Sequence, residues 1–380
     1  MKLVLKWFLR FYKKLDKKLL IPVVLCAGFS VVLLYSIYAN NILPNVGPRY
    51  YKTQLIAVIL GICICLILSM IDYHILAKLW FLYAPVCIIL VLLTFTSLGM
   101  QREGADDKAW LNLGFTTIQP SEFLKLAFIL TFSLHLSKVQ ESINKPLHLF
   151  LLIIHGAVPI LLISAQGDHG TAIVFAAMFV CMLFSAGLSW KYIIAALIAS
   201  PVAVYVLWTQ FLSSMQKKRI LILLNPGSDP LGMEWQQDLG KAALSSGQLL
   251  GQGLFGGNYV AVPEMHNDFI FAHIGQTTGF VGSLSVVAVL TYICLKLIAN
   301  SRIAKDILGK YICIGTFALI FTHCFMNIGM VLVVMPVIGI PLPFLSGGGT
   351  AMLSMFTAIG LVMSTYAYSE KKQHVFYDSD

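Results

Sequence analysis

The sequence predicts an all-α polytopic membrane protein with ten transmembrane helices and one long extracytoplasmic loop that carries a short interfacial helix. Of the 380 residues, 58% are apolar and only 11% are charged, whereas a soluble domain carries about 25% charged residues. Uncharged runs long enough to span a bilayer recur along the chain. One polar stretch, 213–268, is far longer than an ordinary connection between helices.

The chain divides into three predicted parts: a basic cytoplasmic segment (1–18), a ten-helix membrane domain (19–368) and a cytoplasmic tail (369–380). The first part holds seven Lys or Arg among aromatic and aliphatic residues, which is typical of a segment at the cytoplasmic interface. The uncharged runs are 19–38, 53–71, 79–100, 147–166, 171–190, 192–216 and 269–295.

Three further spans need an argument. The run 126–137 is long enough to cross only if Glu122 and Lys125 enter the membrane with it. Between Lys310 and Glu370 there is no charge, and that length is too great for one helix. Prolines and glycines between residues 336 and 349 divide it into two.

The distribution of basic residues predicts the orientation. With both termini inside, seventeen Lys or Arg lie on the cytoplasmic side and nine outside, as the positive-inside rule requires. This places the long loop outside, where 233–244 has the apolar spacing of a surface helix. The net charge of +9 does not indicate nucleic acid, because no loop joins a basic cluster to stacking aromatics. The eight cysteines lie in apolar runs, without a C-x-x-C pair, and are interpreted as packing residues.

Two acids, Glu264 and Asp268, lie where the long loop re-enters an apolar run. Asp268 is therefore expected at the mouth of a membrane helix, within reach of both lipid and water. The alternative is structural, because Asn267 and Asp268 both suit the N-terminus of a helix. His266, Asp268 and His273 do not match the spacing of a zinc site. Magnesium held by substrate phosphates and one carboxylate is more plausible.

Other motifs also have two readings. Glu122 and Lys125 could pair three residues apart, but a lysine inside a spanning helix favours a role in a polar cavity. Trp110 could be an interfacial anchor. Asp168 lies in a tight turn between two spans, where a structural role is at least as plausible. The run 251–256 matches G-x-G-x-x-G without a preceding strand, so it indicates close backbone approach and not a dinucleotide site.

Taken together, these motifs resemble the SEDS (shape, elongation, division, sporulation) family of cell-wall polymerases from about residue 20 to residue 368. The resemblance rests on six segments: Trp110-Leu-Asn-Leu-Gly114, Gln119-Pro-Ser-Glu122 with Lys125, Asp229-Pro-Leu-Gly232, Pro263-Glu-x-His-x-Asp268-Phe-Ile-Phe271, Asn327-Ile-Gly-Met330, and Pro341-Leu-Pro-Phe-Leu-Ser346. The chain departs from the usual pattern at Gly275-Gln276-Thr277, at Gln166-Gly-Asp-His-Gly170, at Gly347 and at Thr53.

The resemblance implies a peptidoglycan glycosyltransferase that polymerises lipid II at the outer face of the bacterial cytoplasmic membrane, for cell-wall elongation and shape. It implies a class B penicillin-binding protein, a transpeptidase, as partner. The family's essential acid falls on Asp268, which we expect to be the general base. The expected substrate-binding residues are Lys125, Glu122, Trp110, Glu264, Lys52 and Ser346.

Positive charge is needed near the departing pyrophosphate. Lys125 is the first candidate, with Lys52, Arg102 and Lys108 as further candidates. No metal site built by the protein is expected, although a divalent cation (Mg or Mn) could arrive with the pyrophosphate.

Two other functions compete with polymerisation. A flippase or transporter of the lipid-linked precursor would place its polar groups near the bilayer midplane, on broken helices in two related halves. A non-catalytic scaffold would activate the transpeptidase without reacting.

Overall fold

A computed structural model describes residues 14–101, 107–114, 117–225, 227, 229 and 232–369. Within this part of the chain the fold is almost entirely helical. The helices are α1 (Lys17–Ala39), α2 (Pro48–Met70), α3 (Tyr73–Lys78), α4 (Trp80–Leu93), α5 (Pro120–Val139), α6 (Pro146–Ala165), α7 (His169–Ser185), α8 (Trp190–Val206), α9 (Ser214–Leu224), α10 (Met233–Ser246), α11 (Ile270–Ile303), α12 (Ile307–Val331) and α13 (Gly349–Ser369). Most of segment 1–18 and of tail 369–380, together with Arg102, lies outside the described residues.

Among the described residues, seven helices are long and apolar enough to cross a membrane: α1, α2, α6, α8 with its extension to Gln210, α11, α12 and α13. The chain is therefore a multi-pass membrane protein. The other three predicted spans coincide with α4, α5 and α7. Helices α4 and α7 are apolar but short, and α5 includes both Glu122 and Lys125.

Some predicted bounds were wrong. The third span was expected to reach residue 100, but α4 ends at Leu93. The chain then forms a small antiparallel sheet of β1 (Gly99–Met100), β2 (Trp110–Asn112) and β3 (Thr117–Ile118), in the order β1-β2-β3. The Gln166 side chain binds the Val91 carbonyl and the Thr94 hydroxyl, where the helix stops. The span expected over 192–216 ends in a π-helical turn at Phe211, and α9 follows with a Ser213–Gln216 capping box.

The apolar run 269–295, predicted as one span, lies almost entirely within α11, which is kinked. Gly279 in α11 has φ 67° and ψ −166°, a conformation outside the helical region. The residues before it, from Ile270 to Thr277, are buried in the protein. The kink at Gly279 therefore separates a buried first segment from a longer second segment.

The core is built around α12 and α13, the most buried of the spanning helices. Helix α13 packs along α2, and α12 contacts α5, α7 and α11. A helix, α10, forms where the surface helix was predicted, and it packs on α11. Helix α8 has none of its spanning window buried, so its side chains remain available to lipid. The segment 332–348 connects α12 to α13 at the end of the bundle where α2, α5 and α11 begin.

Candidate active site

Asp268 belongs to a tight turn directly before α11. The Glu264 carbonyl accepts hydrogen bonds from the backbone N–H groups of Asn267 (2.9 Å) and Phe269 (3.1 Å). Glu264 has φ +55°, which is uncommon for a residue other than glycine and shows that the turn is tight. Phe269, whose side chain makes no capping hydrogen bond, is the N-cap residue of α11, and Asp268 lies one residue before it.

The backbone of Asp268 is held by Asn327 of α12. The Asn327 side-chain amide donates to the Asp268 carbonyl (2.8 Å) and to the Ile340 carbonyl (2.7 Å). The Asp268 side chain is half-buried and lies over Gly339, where an added Cβ would be 3.5 Å from Oδ2. Gly339 has φ +66°, so the turn itself requires glycine and leaves room for the carboxylate.

A second set of bonds fixes the same turn against α2 and the start of α13. The Ser346 hydroxyl donates to the Asn267 carbonyl (2.6 Å), and Gly347 N–H donates to the His266 carbonyl (2.8 Å). The buried Gln54 side chain donates to the Ser346 carbonyl (3.0 Å) and accepts from Gly348 N–H (3.2 Å). Ser346 therefore positions the backbone beside Asp268 and is itself buried.

Glu122 and Lys125 form a buried ion pair in α5. Lys125 Nζ lies 2.9 Å from Glu122 Oε1 and 3.1 Å from His323 Nε2. The Ser354 hydroxyl donates to the other Glu122 oxygen. Lys125 is 0% exposed and Glu122 is 2% exposed. The expected open cavity lined by these two side chains is therefore absent from this arrangement, because each charge is satisfied by protein.

The buried pair and the Asp268 turn share one support. His323 Nδ1 lies 3.1 Å from the Pro341 carbonyl, and Asn327, one turn later in α12, binds the adjacent Ile340 carbonyl. The segment 339–341 thus holds the ring that contacts Lys125 and the amide that contacts Asp268. A displacement of this segment would release both.

The other predicted residues lie nearer to solvent. Lys52 and Glu264 are exposed, and the His266 ring packs edge-on against Tyr50, 4.9 Å between centroids. Trp110 is half-buried on strand β2. Lys108 Nζ donates to the Thr96 carbonyl (2.8 Å), which makes Lys108 a link to the end of α4.

Asp168 has a structural role here. It caps α7 by accepting from Thr171 N–H (2.9 Å), and it accepts from the Gln119 side chain (3.1 Å). Burial raises the pKa of the Asp168 carboxyl, and the hydrogen bonds from Thr171 oppose that rise. In the described residues no group of three or more His, Cys, Asp or Glu side chains could hold a metal ion.

The glycine run of the long loop meets the break in α11. Gln252 N–H and Gly253 N–H donate to the carbonyls of Gln276 and Thr277 (2.9 and 3.0 Å). In return, Phe280 N–H and Val281 N–H donate to the carbonyls of Gln248 and Leu249 (2.8 and 3.1 Å). We call these residues, 248–253 and 276–281, the seam. The glycine run 251–256 was expected to let the backbone approach another surface closely, and that surface is helix α11 of the same chain.

Gly275, Gly279 and Gly282 have the spacing of a small-residue face on which a partner helix could pack. An added Cβ at Gly275 would meet Leu244, and one at Gly279 would meet Gly251 and Leu249. At Gly282 the nearest atoms belong to Thr278. Because the first two glycines already contact α10 and the loop, this face gives no support to partner docking.

The sequence analysis did not single out four residues that support the site: Gln54, His323, Asn327 and Ser354. Asn327 lies in a segment that carried the family resemblance, but its hydrogen bond to the Asp268 carbonyl was not predicted. His323 had one usable signal, since an ionisable side chain in a spanning run is a functional candidate by default. Gln54 and Ser354 gave no such signal, because polar side chains of their size recur throughout the spans.

Comparison with known proteins now decides the family. A family model described as a cell cycle protein of the FtsW/RodA/SpoVE type matches residues 17–371. The chain belongs to this family. It is the SEDS family that the motifs indicated.

Relatives and solved structures agree. Peptidoglycan glycosyltransferase MrdB of Escherichia coli K12 is 31% identical over 358 residues, covering 93% of this chain and 94% of that protein. The probable peptidoglycan glycosyltransferase FtsW of Trichlorobacter lovleyi is 32% identical over 368 residues, covering 93% of each.

Two structures share the fold. One is a chain from work on structural coordination of polymerization and crosslinking by a peptidoglycan synthase complex (TM-score 0.78, 24% identity, 93% of this chain and 98% of that chain covered). The other is the rod shape determining protein RodA of Thermus thermophilus (TM-score 0.68, 21% identity, 93% and 96% covered). The SEDS fold of this chain is therefore established independently of the motifs.

Proposed function

We propose that this SEDS protein is a peptidoglycan glycosyltransferase that polymerises lipid II into glycan strands for cell-wall elongation and shape. The observation that carries the proposal is full-length similarity, at 31% identity, to a protein named as a peptidoglycan glycosyltransferase. The geometry around Asp268 supports the proposal. The half-buried Asp268 carboxylate lies on a turn that Asn327 holds by a hydrogen bond, and the start of α2 nearby carries the exposed Lys52.

Asp268 is the proposed general base. Joining a sugar hydroxyl to an anomeric carbon requires removal of the hydroxyl proton as the new bond forms, while the lipid pyrophosphate leaves with the electrons of the broken bond. The hydrogen bonds of Asn327 and Ser346 fix the backbone on both sides of Asp268, so only its side chain needs to adjust to the acceptor. Glu264, exposed on the same turn, is proposed to contact substrate without taking the proton.

Lys52 is the proposed first contact for the pyrophosphate. It is exposed two residues before Gln54, whose side chain anchors the Ser346 segment. Lys125 is closed off by Glu122 and His323 and would join only after segment 339–341 moves. A divalent cation (Mg or Mn) would arrive with the pyrophosphate, since carboxylates and phosphate oxygens suit such an ion. Trp110 is the proposed aromatic contact at the interface.

The proposed topology has ten spans, with both termini in the cytoplasm and 213–268 outside the cytoplasmic membrane. Three observations support it: the seven long helices, the agreement of α4, α5 and α7 with the remaining spans, and seventeen basic residues against nine. Helices α9 and α10 then lie on the outer surface, on the same side as Asp268.

A class B penicillin-binding protein is the proposed partner, because a chain of the same fold occurs in a complex that polymerises and crosslinks peptidoglycan. A transporter is less well supported. Its broken helix would offer free backbone groups to a substrate near the midplane, whereas four of the groups at the break in α11 are bonded to the loop.

The test is to add labelled lipid II to the purified protein, with and without the transpeptidase, and to separate the products by length. Glycan chains made by the protein alone support the polymerase. Chains that appear only when a second polymerase is present identify a scaffold. Lipid II that moves across proteoliposomes without becoming longer identifies a transporter.

A further inference from the structure

A cavity lies at the end of the bundle opposite to Asp268. It has a volume of about 520 Å³ and is lined by His74, Lys78, Leu134, Ser137, Asp306, Ile307 and Leu308. On α5, Ser137 is fifteen residues beyond Glu122, which corresponds to about 22 Å along a helix axis. The cavity is therefore separate from the catalytic site and lies between α3, the end of α5 and the start of α12.

The acid that lines this cavity, Asp306, is already engaged, as is the neighbouring Asp72. The His74 ring lies between two carboxylates, with Nδ1 2.7 Å from Asp72 Oδ1 and Nε2 in contact with Asp306 Oδ2. Asp306 also caps α12 by accepting from Gly309 N–H (2.8 Å). Burial opposes ionisation of Asp72, but the hydrogen bonds from His74 outweigh it and lower the pKa of the Asp72 carboxyl.

The cation that lines the cavity, Lys78, differs from these acids in its contacts. Within the described part of the chain, Lys78 has neither an ion pair nor a side-chain hydrogen bond, and it is exposed. Lys138 and Lys305 are exposed nearby in sequence, at the end of α5 and before α12. The wall of the cavity is apolar, formed by Leu134, Ile307 and Leu308.

An ammonium without a protein partner among the described residues, above an apolar wall, suits an amphiphile with an anionic head. The proposed topology puts this cavity at the cytoplasmic leaflet, where anionic phospholipids lie and where basic pockets between helices bind their head groups. The volume accommodates a head group and the first part of its chains. We infer that the cavity is a binding site for an anionic phospholipid, with the phosphate on Lys78 and the acyl chains along Leu134 and Ile307.

Such a lipid would join α5 to α12 at their inner ends. These helices carry Glu122 with Lys125, and His323 with Asn327, respectively, at their outer ends. The bound lipid should therefore stabilise the bundle. The inference rests on the proposed orientation of the chain but not on its polymerase activity.

The test uses the full-length protein in a neutral detergent and follows thermal unfolding while phosphatidylglycerol or phosphatidylcholine is added. Phosphatidylglycerol should raise the Tm by several degrees more than phosphatidylcholine does. Lys78→Gln should remove at least half of that difference. Lys191→Gln, an exposed lysine on the proposed cytoplasmic side and outside the cavity, should keep it.

Ser137→Phe, which places a bulky ring in the cavity, is a second variant that should reduce the preference for phosphatidylglycerol. Native mass spectrometry should show one fewer retained phosphatidylglycerol for Lys78→Gln. Equal shifts with the two lipids, or an unchanged preference in Lys78→Gln, would overturn the inference. If glycerol 3-phosphate alone reproduces the shift, the ligand is a free phosphate ester, and the lipid assignment is wrong.

Discussion

At the scale of single residues, Asp268 is the side chain on which the proposed chemistry depends. Asp268→Asn keeps the shape of the side chain and leaves the hydrogen bonds from Asn327 and Ser346 to the backbone in place, but it cannot accept a proton. We expect polymerisation of labelled lipid II to fall by roughly 10²- to 10⁴-fold, with an unchanged Tm. Asp238→Asn, on the exposed face of α10, is the matched control. An Asp268→Asn enzyme with more than about a tenth of wild-type activity would exclude Asp268 as the base.

Lys125 is a different kind of residue, because its charge is buried against Glu122. Removing one partner of a buried ion pair leaves an uncompensated charge and typically costs about 3–5 kcal/mol. We therefore expect Lys125→Met to lower the Tm strongly. The double variant Glu122→Gln with Lys125→Met should recover most of that stability, since no charge remains.

Activity of the stable double variant then separates two roles for Lys125. If it polymerises lipid II at the wild-type rate, the pair serves only to hold α5 against α12. If it folds normally but is inactive, Lys125 or Glu122 contacts substrate after the site opens. A Lys125→Met protein with unchanged Tm would contradict the closed ion pair itself.

Lys52 is expected to act on binding. Lys52→Gln removes an exposed charge near the Asp268 turn, and a lost hydrogen bond to a phosphate weakens binding by roughly tenfold or more. The KM for lipid II should rise accordingly, while the Tm stays constant. Lys241→Gln on α10 is the control. An unchanged KM would mean that a cation other than Lys52 binds the pyrophosphate.

The sequence located Asp268 and the Glu122–Lys125 pair, because acids at loop ends and lysines in apolar helices are visible locally. It did not predict their partners. His323 is 198 positions from Lys125, and Ser354 is 232 positions from Glu122. Such contacts depend on which helices pack together, and a single sequence does not specify this. For the same reason, the sequence did not predict that Lys125 is fully buried between Glu122 and His323.

At the scale of elements, apolar runs predicted the positions of the spanning helices well, since burial in lipid leaves a long uncharged signature. They predicted neither the sheet β1–β3 nor the break in α11. A kink caused by glycine has no hydrophobic signature of its own. The departures Gln276 and Thr277 belong to this break, where Gln276 Oε1 accepts from Val260 N–H (3.0 Å) and the Thr277 carbonyl from Gly253 N–H.

Substitution of Gly279 tests whether the contact between the loop and α11 in the seam depends on glycine at this position. An added Cβ would lie 2.4 Å from Gly251 N, and the φ and ψ of Gly279 are nearly exclusive to glycine. Gly279→Ala should lower the Tm by the equivalent of about 1–3 kcal/mol or more. It should also expose the loop to protease.

The control for this variant is Gly28→Ala in α1, where no atom lies within 4 Å of an added Cβ. There alanine should be neutral or stabilising by up to about 1 kcal/mol, because it favours the helix. Equal Tm values for the two variants would mean that the loop does not depend on the kink at Gly279.

At the scale of the whole molecule, the two sites occupy opposite ends of one bundle. The turn that carries Asp268 contacts the start of α2 through His266 and Tyr50, and the Lys78 cavity follows the end of the same helix. Polymerisation outside the membrane therefore requires one orientation only. The opposite orientation would place Asp268 in the cytoplasm and Lys78 against the outer leaflet.

Labelling of single cysteines tests this orientation directly. In a variant whose eight cysteines are replaced, Lys241→Cys on α10 should react with a membrane-impermeant maleimide in intact cells, because α10 is on the Asp268 side. Lys191→Cys, at the start of α8, should react only after the cells are permeabilised. Both lysines are exposed, so burial does not explain a difference. Labelling of residue 191 but not of residue 241 in intact cells would reverse the topology and contradict both the extracytoplasmic polymerase and the inner-leaflet lipid site.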